Sequence, residues 1–279
     1  MGVYRGGYRQ YSGEYLPIRS RFLVIASAEF QAMWKGRWNR RLFLLATIPL
    51  IVTVAAMLGK GMVESKVGAI PIRLNLLGKL MQVEMLVTAL LGASAGAGIL
   101  AGDKTGNALV LYLARPLTAG RYLLGKGLAL AAVFSITYLV PAMVFVGASY
   151  MVSSDMTLGT FALQEAKVLF AAGFNVAVLT TMVMLFSAVG SRSRTIGMAW
   201  FALYFFSQLV SKGALEATGM EWTRWLSVPD LLQSGLEWCL DPTLETIAPF
   251  LVLLGLGCSS VAGLWYIMVR KQQHKAVGA

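Results

Sequence analysis

Along the chain, long apolar runs alternate with short charged stretches. Six runs have the length of membrane spans, at 42–58, 83–101, 122–152, 166–190, 195–211 and 247–269. A helix rises about 1.5 Å per residue, so about 20 mostly apolar residues cross about 30 Å of hydrocarbon. The fifth run, bounded by Arg194 and Lys212, is short. Pro49 and Pro141 fall inside runs, where membrane helices tolerate a kink. The pattern predicts an all-α integral membrane protein with six transmembrane helices in one domain, 18–279. Ahead of it lies a flexible tail, 1–17, rich in Gly, Tyr and Arg.

The stretches between runs have patterns of their own. Phe22, Ile25, Ala26, Phe30, Met33, Trp34 and Trp38 recur at helical spacing, interleaved with Arg19, Arg21, Lys35 and Arg37. A basic amphipathic helix with aromatic anchors lies flat in the inner interface; the alternative is an extension of the first span. In 102–121, Leu109, Tyr112 and Leu113 form one apolar helical face, ended by Arg115-Pro116. That segment is either a rigid lever presented to a soluble partner or an ordinary interfacial loop helix. The outer stretch 212–245 carries six acids with Trp222, Trp225 and Trp238, and short apolar pieces that predict small helices over the outer leaflet.

Composition supports this reading: 57% of residues are hydrophobic and 13% charged, and mean hydropathy is +0.67. A globular domain carries about a quarter charged residues, so a water-facing surface cannot be covered here. The net charge of +11 resolves by side. With six spans, the termini and the second-to-third and fourth-to-fifth connections share one face, which holds 17 of the 24 basic residues and three acids, Glu14, Glu29 and Asp103. The positive-inside rule places that face, with both termini, in the cytoplasm. The charge therefore serves topology and headgroup contact rather than nucleic acid. Asn39-Arg40-Arg41-Leu42-Phe43-Leu44 resembles a twin-arginine export motif, but it lies deep in the chain with no cleavage site after it, and anchors the first helix instead.

Candidate chemistry is sparse. A single His, His274, near the C-terminus excludes His-ligated metals and histidine-activated nucleophiles, and no metal site is predicted. Cys239, in an outer loop, and Cys258, in the sixth run, are poorly placed to pair. Gly92-Ala93-Ser94-Ala95-Gly96 imitates a nucleophile elbow inside a span; small residues from Ala89 to Ala101 explain it as a face for close helix contact, with Gly92 and Gly96 at its centre. A phosphate-loop reading of Gly96 to Thr105 fails, because Asp103 stands where the lysine belongs. Within the spans the polar residues are few: Asn175, Gln208, and Glu84 near a span end, which argues against ion-coupled transport.

Taken together, Glu29 in the basic helix, then Asp103-x-x-Gly106-x-x-Leu109-x-x-x-Leu113-x-Arg115-Pro116-Leu117 and Leu123-Leu124-Gly125-Lys126, resemble the membrane (permease) subunits of ABC-2-type ATP-binding-cassette exporters. Asp103 stands where that family usually has Glu, and Asn107 where Thr is common. The resemblance implies a cytoplasmic coupling helix between spans 2 and 3, at 102–121, seated on a separate ATPase through Asp103, Gly106, Leu109, Tyr112, Leu113, Arg115 and Pro116. It implies an elbow helix at 18–38 with Glu29, Phe30, Trp34 and Arg37, and gating helices in 212–246. Gly92, Gly96, Asn175 and Gln208 would serve helix packing or the route, with spans 2 and 5 facing a second permease subunit in a homodimer or heterodimer. The implied function is export across a bacterial inner membrane, driven by ATP and Mg bound in two copies of the partner ATPase, with no catalysis and no cofactor in this chain. A non-transporting membrane scaffold is the alternative reading.

Overall fold

In the computed structural model, residues 20–67, 76–106, 118–152, 157–240 and 244–277 are described, and among them every regular element is helical. In chain order these are α1 (Arg21–Lys35), α2 (Arg37–Val67), α3 (Leu76–Leu91), α4 (Gly98–Thr105), α5 (Ala119–Phe134), α6 (Val140–Val152), α7 (Leu158–Val189), α8 (Ser193–Thr218), α9 (Val228–Leu240) and α10 (Leu244–Val277). A short 3₁₀ turn, Glu221–Leu226, precedes α9.

Five stretches are long and apolar enough to cross a membrane: Arg37–Gly59, Leu76–Thr105, Ala119–Val152, Leu158–Val189 and Ile247–Ile267. The fifth predicted run lies in α8, whose 26 residues suffice in length but which is not among the five. It runs antiparallel beside the second span: Gly197 lies against Ala93, Trp200 donates to the Ala89 carbonyl, and Ser211 reaches Asp230 of α9, whose Gln233 meets Gln82 of α3.

The second and third spans each contain one wide turn. At Gly92–Gly96 the N–H of Ala97 bonds the Gly92 carbonyl, five residues back. At Ser135–Leu139 the Val140 N–H does the same with Ser135, just ahead of Pro141, which has no N–H to give. The first wide turn is bordered by close packing. A Cβ at Gly92 would lie 2.9 Å from Trp200 Nε1, and one at Gly96 would overlap Val183. Gly92 and Gly96 thus sit against neighbouring helices, and Ser94 hydrogen-bonds Asn39 Oδ1 at 2.9 Å.

Two expected boundaries shift. The amphipathic helix predicted at 18–38 ends at Lys35, because Gly36 takes an extended conformation (ψ 120°). Asn39 Nδ2 then caps the Met33 carbonyl at 2.9 Å, and Arg37 and Trp38 open α2. In the segment predicted at 102–121, residues up to Thr105 continue the second span and those from Ala119 open the third. Glu84, expected near a span end, is instead fully buried in α3.

A charged clamp as candidate functional site

Three of the charged residues singled out in the sequence, Glu29, Asp103 and Lys126, converge where α4, α5 and α1 meet. Lys126 is 1% exposed, and its Nζ lies 2.5 Å from Glu29 Oε1 of α1 and 2.8 Å from Asp103 Oδ2 of α4. The Tyr122 hydroxyl donates to the same Asp103 oxygen at 2.6 Å. One cation thus joins two carboxylates from different helices, and Tyr122 adds a second donor. Such an arrangement repays the desolvation of a buried charge only when every member is paired, and taking one member away costs about 3–5 kcal/mol.

The neighbouring glycine explains how α1 comes so close. A Cβ at Gly125 would sit 2.7 Å from the Phe22 carbonyl oxygen and 3.1 Å from Ile25 Cβ. The Gly125-Lys126 pair therefore has two jobs: the glycine lets α1 cross α5 at contact, and the lysine one residue later reaches Glu29. Phe30 and Trp34 stack along α1 with ring centroids 6.1 Å apart, and Trp34 continues onto Phe43 of α2 at 4.7 Å.

Lys104, adjacent to Asp103, holds the opposite side. Its Nζ donates to the carbonyls of Ser187 (3.1 Å), Gly190 (2.9 Å) and Ala188, at the C-terminal end of α7. These carbonyls have no helical N–H to pair with, and the negative end of the helix dipole favours a cation there. One turn earlier, the buried Ser187 hydroxyl accepts from the N–H groups of Leu100 (2.9 Å) and Ala101 (3.1 Å) and donates to the Ala97 carbonyl at 2.8 Å. The last two turns of the second span are therefore fastened on one side to α1 and α5 and on the other to α7.

Gly106 caps α4 with its N–H on the Gly102 carbonyl at 2.9 Å. Thr118 caps α5 from outside, accepting from the Arg121 N–H at 3.5 Å. The intervening candidates Leu109, Tyr112, Leu113, Arg115 and Pro116 lie outside the described residues. Asp103 and Glu29 are together in the clamp; Phe30 and Trp34 flank it on α1, and Arg37 follows on α2. Gly92 and Gly96 lie higher in the second span. Sequence reasoning missed Lys104 and Tyr122. Lysine beside a span end reads as a topology charge, and only the nearby α7 terminus reveals its partner.

At the far end the polar contacts are of another kind. Asn175 of α7 is buried and donates to the Tyr138 hydroxyl (3.1 Å) and the Leu232 carbonyl (2.8 Å), tying the third and fourth spans to α9. Gln208 is half-buried on α8, apart from Asn175's bonds. Gln82, Asp230, Gln233, Glu237, Lys212 and Arg224 line an open polar cavity of about 290 Å³. Glu84 is completely enclosed, and neither carboxyl oxygen has a hydrogen-bond partner among the described residues. No group of three or more His, Cys, Asp or Glu able to hold a metal occurs among those residues.

None of the curated proteins compared matches the chain. A family profile does match, described as ABC-2 family transporter protein and covering residues 23–255. That stretch begins in α1, takes in both faces of the clamp and α9, and ends in α10. Membership carries membrane transport as the chain's business and association with an ABC ATPase as its setting. The chain, a multi-pass helical membrane protein, belongs to the ABC-2 family of transporter proteins.

Proposed function

We propose that this chain is the permease subunit of an exporter whose ATP is hydrolysed by a separate subunit, two copies of which dock on two permease chains. The observation that carries the reading is the double fastening of Asp103 and Lys104 immediately before the 107–117 segment. Two spans that leave and re-enter the membrane beside that segment are locked to α1 and α7, so a push on the segment moves several helices together. A separate ATPase suits a chain without a nucleotide-binding motif. Residues 107–117, with Leu109, Tyr112, Leu113, Arg115 and Pro116, serve as the coupling element, and α1 as the elbow helix beside the ATPase.

In this reading α8 is the sixth crossing and both termini lie in the cytoplasm of a bacterial inner membrane. The geometry agrees: Trp265 near the end of α10 packs against Gly120 at the start of α5, the end where α1 also lies. The second permease subunit covers the exposed apolar faces of α3 (Val83, Leu86) and α8 (Met198, Phe205, Leu209). Asn175 and the α9 region belong to the outer closure of the route, and Gly92 and Gly96 to its packed wall.

The test pairs Leu109→Asp with Asp103→Asn in a reconstituted permease–ATPase complex. Leu109→Asp is expected to abolish co-purification of the ATPase while membrane insertion is kept. Asp103→Asn is expected to keep the ATPase bound but uncouple ATP hydrolysis from transport. Full coupled transport in both variants overturns the assignment, and a permease that never brings down an ATPase returns the scaffold reading.

A further inference from the structure

Between α1, α2 and the third span lies a groove of about 410 Å³. Its walls are Trp34 of α1, Phe43 and Leu50 of α2, and Ile136, Val140 and Pro141 of the third span, with Arg40 lining the same groove. We propose that this groove holds one acyl chain of an anionic phospholipid of the inner leaflet, with its phosphate on Arg40.

Three observations carry this. The first is length: from Arg40 to Leu50 the groove follows ten residues of α2, about 15 Å of helix, which matches one leaflet's share of about 30 Å of hydrocarbon. Charge is the second. Lys35, Arg37, Arg40 and Arg41 are exposed within seven residues, and none is ion-paired among the described residues; the carboxylate of α1, Glu29, is already taken by Lys126. An apolar cleft between helices with Arg40 on its wall and three further cations close by in sequence, on the cytoplasmic side, is the chemistry that recognises a phosphate headgroup with its chain. The third is exposure: among the described residues Leu44 and Trp34 are 68% and 45% exposed at the groove, and the apolar stretch of α2 has little of its surface packed.

The groove also touches the wide turn of the third span. Thr137 and Pro141 line it, and Thr137 Oγ1 shares a hydrogen bond with Thr88 Oγ1 of the second span at 3.0 Å. A chain seated there presses on the place where the third span departs from regular helix, so the lipid acts on helix geometry as well as on anchoring.

The inference needs the chain only to lie in a bilayer with α1 on the cytoplasmic side, and its test uses no ATPase, so its failure is separable from failure of the transport reading. The purified full-length permease is titrated with phosphatidylglycerol or with phosphatidylcholine of matched chains, and retained lipids are counted by native mass spectrometry. Wild type is expected to keep one phosphatidylglycerol per chain in preference to phosphatidylcholine. Arg40→Gln should cut that preference about fivefold, the factor corresponding to one cation near the surface. Thr47→Trp, which fills the groove from an exposed position, should release both lipids while helical circular dichroism is unchanged. Equal retention of the two lipids by wild type, or unchanged retention in both variants, overturns the proposal.

Discussion

The two ends of the helix bundle are built on different principles. At the clamp end, two lysines are multiply bonded across helices: buried Lys126 between Glu29 and Asp103, and half-buried Lys104 on three carbonyls of α7. At the α9 end, polar groups are more numerous but wetter. Gln82 meets Gln233 at an exposed position, Ser211 reaches Asp230 only at 3.4 Å, and the Arg224–Glu221 pair is 56% and 76% exposed. Exposed pairs contribute about 0–1 kcal/mol, whereas an enclosed charge that loses its partner costs several. The contacts of the clamp end are therefore the costlier to break, and those of the α9 end the cheaper.

The largest effect expected is at Lys126. Lys126→Met leaves two carboxylates facing each other without a cation and should cost about 3–5 kcal/mol, read as a drop in melting temperature in detergent. The triple variant Lys126→Met with Glu29→Gln and Asp103→Asn removes all three charges and should recover most of that loss. If the single and triple variants melt alike, the clamp is not an electrostatic unit. Next is Ser187→Ala, which strips the hydroxyl that serves Leu100, Ala101 and Ala97; about 1–3 kcal/mol is expected from the groups left unsatisfied.

The comparison sharpens at the other end. Gln82→Leu should change stability by less than about 0.5 kcal/mol, since its bond is exposed. A loss as large as that of Ser187→Ala would erase the contrast. The smallest effect concerns Cys239 on α9, whose thiol burial pushes up in pKa. A raised thiol is protonated at neutral pH, so a membrane-impermeant maleimide added from outside should label it slowly, faster as pH rises. Labelling only from the cytoplasmic side contradicts the placement of α9.

Much of this was legible in the sequence. The apolar runs marked the long helices, and small residues from Ala89 to Ala101 marked a close contact, because helix period and side-chain size are local properties. Glu29, Asp103 and Lys126 were legible as a set through family resemblance. Their mutual contact was not, since it depends on how α1 crosses α5 over Gly125. Lys104 and Ser187 were silent for a related reason: their partners are backbone groups of a helix about 85 residues away, which no side-chain pattern announces. Of the wide turns, only Pro141 gave a local hint. The helix break came from Gly36 and its cap Asn39, which in sequence had looked like part of an export motif.

The wide turn at Gly92–Gly96 has a consequence for the phase of the whole second span. One extra residue in a regular helix rotates everything after it by about 100°, since 3.6 residues make a turn. Here the extra residue is absorbed within a single turn, so the helix beyond it keeps the phase that brings Asp103 to Lys126 and Lys104 to α7. The turn works as a slack link in the register: losing one residue there, such as Ala95, would tighten it into ordinary helix and leave the clamp aligned, whereas losing one between Gly98 and Gly102 would swing both charges away from their partners.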